Sequence, residues 1–186
     1  MIVYLAWGSL FWNPDDLPIN NWEKTDLILP LEFSRISDKG MGRLTLVIDE
    51  KNGTNNKVWY AESKIKNIDK SINALKIREN TIKDNIAYIN LKTDKERVKN
   101  TPTKIVRRIK LWAKKNNIDV VIWTDLKSNW NDIIKSNYSV KDGYKYFLNS
   151  ELDIKIDILK YIYKARTLTN INTKFSEYFF IKLNKK

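Results

Sequence analysis

The residues Ile2 to Ala6 are apolar without a break, and three of the five are β-branched or aromatic. A run of this length and composition reads as a buried strand. It ends abruptly at Trp7-Gly8-Ser9-Leu10, and the rest of the chain has to be laid out around it. Glycine tolerates a positive φ and lets a ligand approach the backbone, so the Gly-Ser step has two readings. Either Gly8 makes a turn, or the amides that follow converge on a carboxylate or a developing oxyanion.

The length of 186 residues predicts one domain spanning residues 1–186 with a full core. Hydrophobic residues make up 42% and charged residues 30%, the balance of a soluble globular chain. No apolar run approaches the roughly 18–20 residues that a membrane span needs. The first residues also lack the basic region and small-residue cleavage site of a signal peptide. The expectation is therefore a cytoplasmic protein with no membrane partner.

Two absences narrow the chemistry. With no cysteine and no histidine, the chain cannot build Ser-His or Cys-His nucleophilic sites, a structural zinc site or a disulfide framework. Acid–base catalysis is left to carboxylates, lysines, tyrosines or a terminus. An all-carboxylate magnesium or calcium site is open in principle, but no loop of the DxDxDG kind is present. The net charge of +12 suggests a nucleic-acid partner. Against this, 27 lysines stand beside 7 arginines, with much asparagine and isoleucine. That is the profile of AT-rich codon usage, and arginine is the residue suited to phosphate forks. Nucleic acid stays a possible but disfavoured partner.

Asn13-Pro-Asp-Asp-Leu-Pro18 reads as a loop in which Asp15 and Asp16 are either solvated or a paired-acid site. Leu29 to Ile36 predicts a strand opening at Pro30, with Leu31, Phe33 and Arg35 on one face. Asp38 to Gly42 predicts a hairpin connection with two glycines available for positive φ. Arg43 to Ile48 alternates cleanly, with Leu44, Leu46 and Ile48 on one face. Arg35 and Arg43 thus flank a shared turn, either as surface residues or as pocket cations. Lys57 to Ala61 is a further strand after the turn-like Asn52-Gly53.

Asn67 or Asp69 caps a helix running to about Glu79, with Ile68, Ile72 and Leu75 as its buried stripe. Position 79 falls about 20° from position 68 around the axis, within that stripe. Glu79 is either an acid with a catalytic reason to face inward or a helix-end carboxylate paired with a neighbouring arginine or lysine. Ile86 to Leu91 predicts a strand, and Asp94 to Thr101 a polar surface loop. Thr101-Pro102 predicts a helix start with threonine as cap and proline at the first position. That helix buries Ile105, Ile109, Trp112 and Ala113. Its outer face carries Lys104, Arg107, Arg108, Lys110, Lys114 and Lys115, a basic stripe without interleaved aromatics. Asp119 to Thr124 is a buried strand. Val140 to Leu148 and Leu152 to Tyr163 are helices, the latter with Leu152, Ile156, Leu159 and Tyr163 on one side. Phe175 to Leu183 fits either a strand or a helix.

Four separated pieces form one pattern: Ala6-Trp-Gly-Ser-Leu10, Phe33-Ser-Arg-Ile-Ser37, Gly42-Arg-Leu-Thr-Leu-Val47 and Ala74-Leu-Lys-Ile-Arg-Glu79. In order and spacing they resemble the gamma-glutamylcyclotransferase-like superfamily, in particular bacterial members with a Trp-Gly-Ser-Leu start. The resemblance extends to Val121-Ile-Trp-Thr-Asp-Leu126 and Tyr161-Ile-Tyr-Lys-Ala-Arg166, covering most of the chain. It implies an α+β fold with a small mixed β-barrel flanked by helices. It also implies that Trp7, Gly8, Ser9 and Leu10 form the loop gripping the substrate carboxylate, and that Glu79 is the acid/base. Arg35, Arg43 and Tyr88 become further substrate-binding candidates. Trp7 stands where tyrosine is usual, Asn80 follows Glu79 where glycine is usual, and Tyr88 only loosely matches the family's strand tyrosine.

The implied reaction takes a small-molecule γ-glutamyl amide or dipeptide to 5-oxoproline and a free amine, without cofactor or metal. Two alternatives stand beside it. One is a related amide-cleaving or aminoacyl-transferring enzyme acting on another substrate. The other is a non-catalytic basic module binding nucleic acid or another acidic partner.

Overall fold

The computed structural model describes residues 1–38 and 42–184. In chain order the strands are β1 (Ile2–Ala6), β2 (Glu23–Ser37), β3 (Arg43–Ile48), β4 (Thr54–Glu62), β5 (Ile86–Asn90), β6 (Lys95–Arg97) and β7 (Val120–Thr124). The helices are α1 (Ser9–Trp12), α2 (Ile68–Arg78), α3 (Thr103–Lys115), α4 (Trp130–Ile134), α5 (Val140–Asn149), α6 (Leu152–Thr169) and α7 (Lys174–Leu183). The class is α+β, with one mixed sheet in the order β3-β2-β4-β1-β7-β5-β6. The expected barrel does not form. Closure needs the two edge strands to pair, whereas β3 and the three-residue β6 end the sheet on either side. No described helix is long and apolar enough to cross a membrane.

The chain divides into two compact units, Met1–Ile28 with Lys57–Leu126, and Leu29–Asn56 with Lys127–Lys186. In the first, β1 is buried along its whole length. It pairs antiparallel with β4, from Val3↔Glu62 to Ala6↔Trp59, and parallel with β7, from Ile2↔Val120 to Tyr4↔Ile122. Such a central strand has no solvent face, which is why its sequence is continuously apolar. Ile2, Tyr4 and Ala6 form one cluster with Leu10, Ile72, Leu75, Ile86 and Ile122. The Tyr4 hydroxyl, its pKa raised by burial, donates to the Ser71 carbonyl at 3.0 Å and accepts from Ser63. On α3, Ile105, Ile109, Trp112 and Ala113 are buried as their spacing predicts, and Trp112 meets the Tyr60 ring edge-on at 5.5 Å.

Two expectations in this unit need correction. The stretch from Asp94 to Thr101 contains β6, which pairs antiparallel with β5 through Tyr88↔Arg97, Ile89↔Glu96 and Asn90↔Lys95. Its side chains are polar because an edge strand takes its place through the backbone ladder without needing an apolar face. Thr101 does not cap α3; Pro102 occupies the cap position. The Thr101 hydroxyl instead donates to Asp125 at 2.6 Å and accepts from the Trp123 indole at 3.0 Å. Asp125 is 2% exposed and also receives the amides of Lys99, Asn100 and Thr101 at 2.7–2.8 Å.

In the second unit, β2 and β3 pair antiparallel from Leu31↔Ile48 to Ser37↔Arg43, with a register shift between Glu32 and Arg35. The strand β2 begins at Glu23, and Pro30 lies within it rather than opening it; the Pro30 carbonyl still accepts from the Asp49 amide at 2.9 Å. Of the hairpin connection, residues 39–41 lie outside the described residues, while Gly42 has the positive φ of 98° that glycine allows. Gly53 meets a different constraint: a Cβ there would sit 2.4 Å from the Asp49 carbonyl oxygen. The ambiguous segment from Phe175 forms α7, started by a capping box between Thr173 and Ser176. Helix α4, with Trp130 buried in it, has no counterpart in the sequence reading.

Helix α6 forms, and the side carrying Leu152, Ile156, Leu159 and Tyr163 is not the one that faces inward. Ile158, Tyr161, Ile162, Ala165 and Thr169 are buried, whereas Leu152 is 71% and Tyr163 62% exposed. The buried side packs on β3 and α5.

The Asp125 carboxylate and its four donors predict a fold-level effect. Asp125→Ala should cost about 3 kcal/mol, because hydrogen bonds to a charged acceptor are the strong class and their buried donors lose their partner. Urea unfolding of the two proteins measures this; a loss under about 0.5 kcal/mol would mean the segment re-forms its bonds elsewhere.

Candidate active site

The loop that ends β1 is built from its own short bonds. Gly8 has φ −138° and ψ −141°, so the left-handed conformation is not what glycine supplies here. It stands at the start of α1, where the Phe11 amide donates to the Gly8 carbonyl and the Asn13 amide to the Ser9 carbonyl, each at 2.9 Å. Trp7 and Leu10 are buried and Ser9 is half-buried. Leu10 belongs to the cluster that also holds Ile72 and Leu75 of α2, and half-buried Tyr88 packs against the same cluster. Tyr88 in addition lies under the Arg97 guanidinium at 5.6 Å.

The end of α2 is set by backbone chemistry. Asn67 caps its start, accepting from the Lys70 amide at 2.9 Å. At the other end Asn80 takes the left-handed conformation, φ 46°. The Asn80 amide donates to Ile77 and the Thr81 amide to Lys76, the paired bonds of a Schellman ending. Glu79 is thereby held as the last near-helical residue, φ −76° and ψ −5°, with its side chain 18% exposed. Its carboxylate accepts from the Arg78 guanidinium. The same guanidinium donates to the Asn13 carbonyl, through Nε at 3.1 Å and again through Nη2. A single buried cation thus ties Glu79 to the segment directly following the Gly8–Leu10 loop. Pairing of Glu79 with an adjacent arginine is the second of the two readings its sequence position allowed. Asp15 lies 3.8 Å from Arg78 with its side chain more than half exposed, and Asp16 is exposed.

The other two candidate cations belong to the second unit. Arg35 is half-buried and donates to the Lys127 carbonyl at 3.0 Å; burial lowers its pKa. Arg43 stacks on the Tyr161 ring at 4.8 Å, and its Nε has no hydrogen-bond partner among the described residues. Of the basic stripe on α3, Lys110 pairs with Glu96, Lys115 pairs with Asp26, and Arg108 donates to the Ile28 carbonyl. Arg107 and Lys114 are exposed. Among the described residues no group of three or more acidic side chains is arranged to hold a metal ion.

Glu32 lies outside the candidate residues that the sequence singles out. It is fully buried in β2, where one oxygen accepts from the Phe33 amide at 2.8 Å and the other from the Phe175 amide, in the first turn of α7, at 3.4 Å. Burial pushes its carboxyl up to about 7, against the hydrogen bonds from Thr173, Phe33 and Phe175, and Asp49 adds to the rise. The Tyr138 hydroxyl, also raised by burial and by Glu32 and Asp49, has no hydrogen-bond partner among the described residues. The signal in the sequence is a lone carboxylate inside the apolar run Leu29-Pro-Leu-Glu-Phe. Comparison of the chain with protein-family models, curated proteins and solved structures returned no match.

The raised Glu32 carboxyl fixes the sign of a pH effect. Between the ordinary carboxylate value and about 7 the folded chain holds a proton that the unfolded chain has lost, so stability falls as pH rises through that window. Urea unfolding from pH 5 to pH 8 should show that decline in the wild type and a flatter profile in Glu32→Gln. An unchanged slope in the variant would assign the effect to other groups.

Proposed function

We propose that the chain is a gamma-glutamylcyclotransferase-type enzyme acting on a small γ-glutamyl amide or dipeptide. The resemblance of its motifs to that superfamily supplies the reaction class. One observation carries the reading to these residues: the Arg78 guanidinium holds both the Glu79 carboxylate and the Asn13 carbonyl. The helix that ends at Glu79 and the loop that begins at Gly8 are also packed on one core. The left-handed Asn80 supports it further, since asparagine is the side chain that best replaces glycine there.

In the proposed mechanism the substrate is held folded at the Gly8–Leu10 loop, with its α-amine against its own γ-carbonyl. Glu79 accepts a proton from that amine as its nitrogen attacks the carbonyl carbon and closes the five-membered ring. The backbone at Ser9 and Leu10 faces the substrate carboxylate or the developing oxyanion. The bond from the carbonyl carbon to the departing nitrogen then breaks, and Glu79 returns the proton to that nitrogen. Products are 5-oxoproline and the free amine. Most of the acceleration comes from holding amine and carbonyl in reach.

The test is release of 5-oxoproline from a panel of γ-glutamyl amines and γ-glutamyl amino acids. Glu79→Gln should lower turnover by about 10²–10⁴-fold, the share of a positioned acid–base group, while ligand binding and fold persist. Full activity in that variant removes Glu79 from the mechanism. Silence of the wild type across the panel removes the reaction class.

A further inference from the structure

Helix α6 leaves an apolar stripe on the surface. Leu152, Ile156, Leu159 and Tyr163 follow the spacing i, i+4, i+7, i+11 and fall within an arc of about 60° around the axis. Leu152, Ile156 and Tyr163 are exposed, at 71%, 37% and 62%, and Leu159 is half-buried. Four exposed charges border the stripe on one side, and their order is not mixed: Asp153 and Asp157 come first, Lys160 and Lys164 follow. Each like-charged pair is spaced i, i+4, an arrangement that destabilises an isolated helix. No ion pair joins any of the four to another described residue.

From this distribution we infer that α6 is a self-association surface, taken up by α6 of a second copy of the chain running antiparallel about a two-fold axis. In an antiparallel pair the same edge of each helix meets its own copy, so the acidic half of one faces the basic half of the other. With the axis near residue 158, Asp153 opposes Lys164 and Asp157 opposes Lys160 across the interface. In nearly the same register Leu152 opposes Tyr163 and Ile156 opposes Leu159. The stripe and the charge order therefore select one alignment together; in a parallel two-fold pair the charged edges fall on opposite sides of the seam and gain no pairing. The opposite edge offers little repulsion: Lys155 is half-buried, and the Arg166 guanidinium lies over the Phe180 ring at 4.8 Å. Such an interface is isologous and closes at the dimer. A single helix pair is small beside the roughly 1,600 Å² of a standard interface, so association is concentration-dependent.

Sedimentation velocity on the full chain from about 1 µM to a few hundred µM tests this. The wild type should pass from monomer to dimer over that range. Asp153→Lys with Asp157→Lys makes the edge wholly basic, and Lys160→Asp with Lys164→Asp makes it wholly acidic. Each double variant alone should dimerise at least about tenfold more weakly, and an equimolar mixture of the two should recover a mixed dimer. All four positions are exposed, so the variants keep the fold, and recovery on mixing is an effect no structural role of these residues would produce. A wild type that stays monomeric, a dimer that both variants retain, or a mixture no stronger than its components would overturn the inference.

Discussion

The burial of β1 is the constraint from which the first unit follows. A strand paired on both edges and covered on both faces has no position where a polar side chain could reach water. A polar group along it must be satisfied internally, as Ser71 and Ser63 satisfy the Tyr4 hydroxyl, and water-facing chemistry is left to its ends. At its carboxyl end the chain must leave the sheet at once, and Gly8 begins a single helical turn that brings Leu10 back onto the core. Helix α2 then covers the face made by Ile2, Tyr4 and Ala6, and its own end comes to lie beside the loop.

Two buried carboxylates do comparable work in different ways. Asp125 gathers three consecutive amides and a hydroxyl, fixing the segment before α3 against the end of β7. Glu32 meets the first turn of α7, where the partial positive charge of the helix terminus faces it. The difference lies in compensation. Asp125 is surrounded by short bonds, whereas one of the Glu32 contacts is 3.4 Å and the nearby Tyr138 hydroxyl points at no described acceptor.

Much of this was legible in the residues. The runs at Ile2–Ala6 and Arg43–Ile48 gave their strands to the residue, because the first is too short for a helix, rich in β-branched and aromatic residues and stopped by glycine, and the second alternates cleanly. Asn67 was legible as one of two candidate caps beside Asp69, because a short polar side chain before an apolar stripe favours that place. The failures have physical causes too. Strand β6 is invisible because Lys95-Glu-Arg97 takes its place through backbone bonds. Helix α6 carries two apolar stripes, and periodicity finds both without saying which one the sheet will cover. Asp125 escaped because its donors lie 24 to 26 residues back along the chain, and Glu32 because its long-range partner, the Phe175 amide, is 143 residues distant; spacing rules see only neighbours. In the candidate site the loop and the helix end were legible, but not Arg78, whose reach to Asn13 depends on how α2 lies across the core.

That arginine has a mechanical consequence. Because one rigid, planar group holds a carbonyl on one segment and a carboxylate on another, the two segments behave as parts of a single frame. The geometry between them is set when the chain folds and not when something arrives. Under the proposed reading, a substrate at the Gly8 turn would find the Glu79 carboxylate already held by that frame, with the ordering entropy spent in advance. A site framed in this way discriminates by the length of its guest.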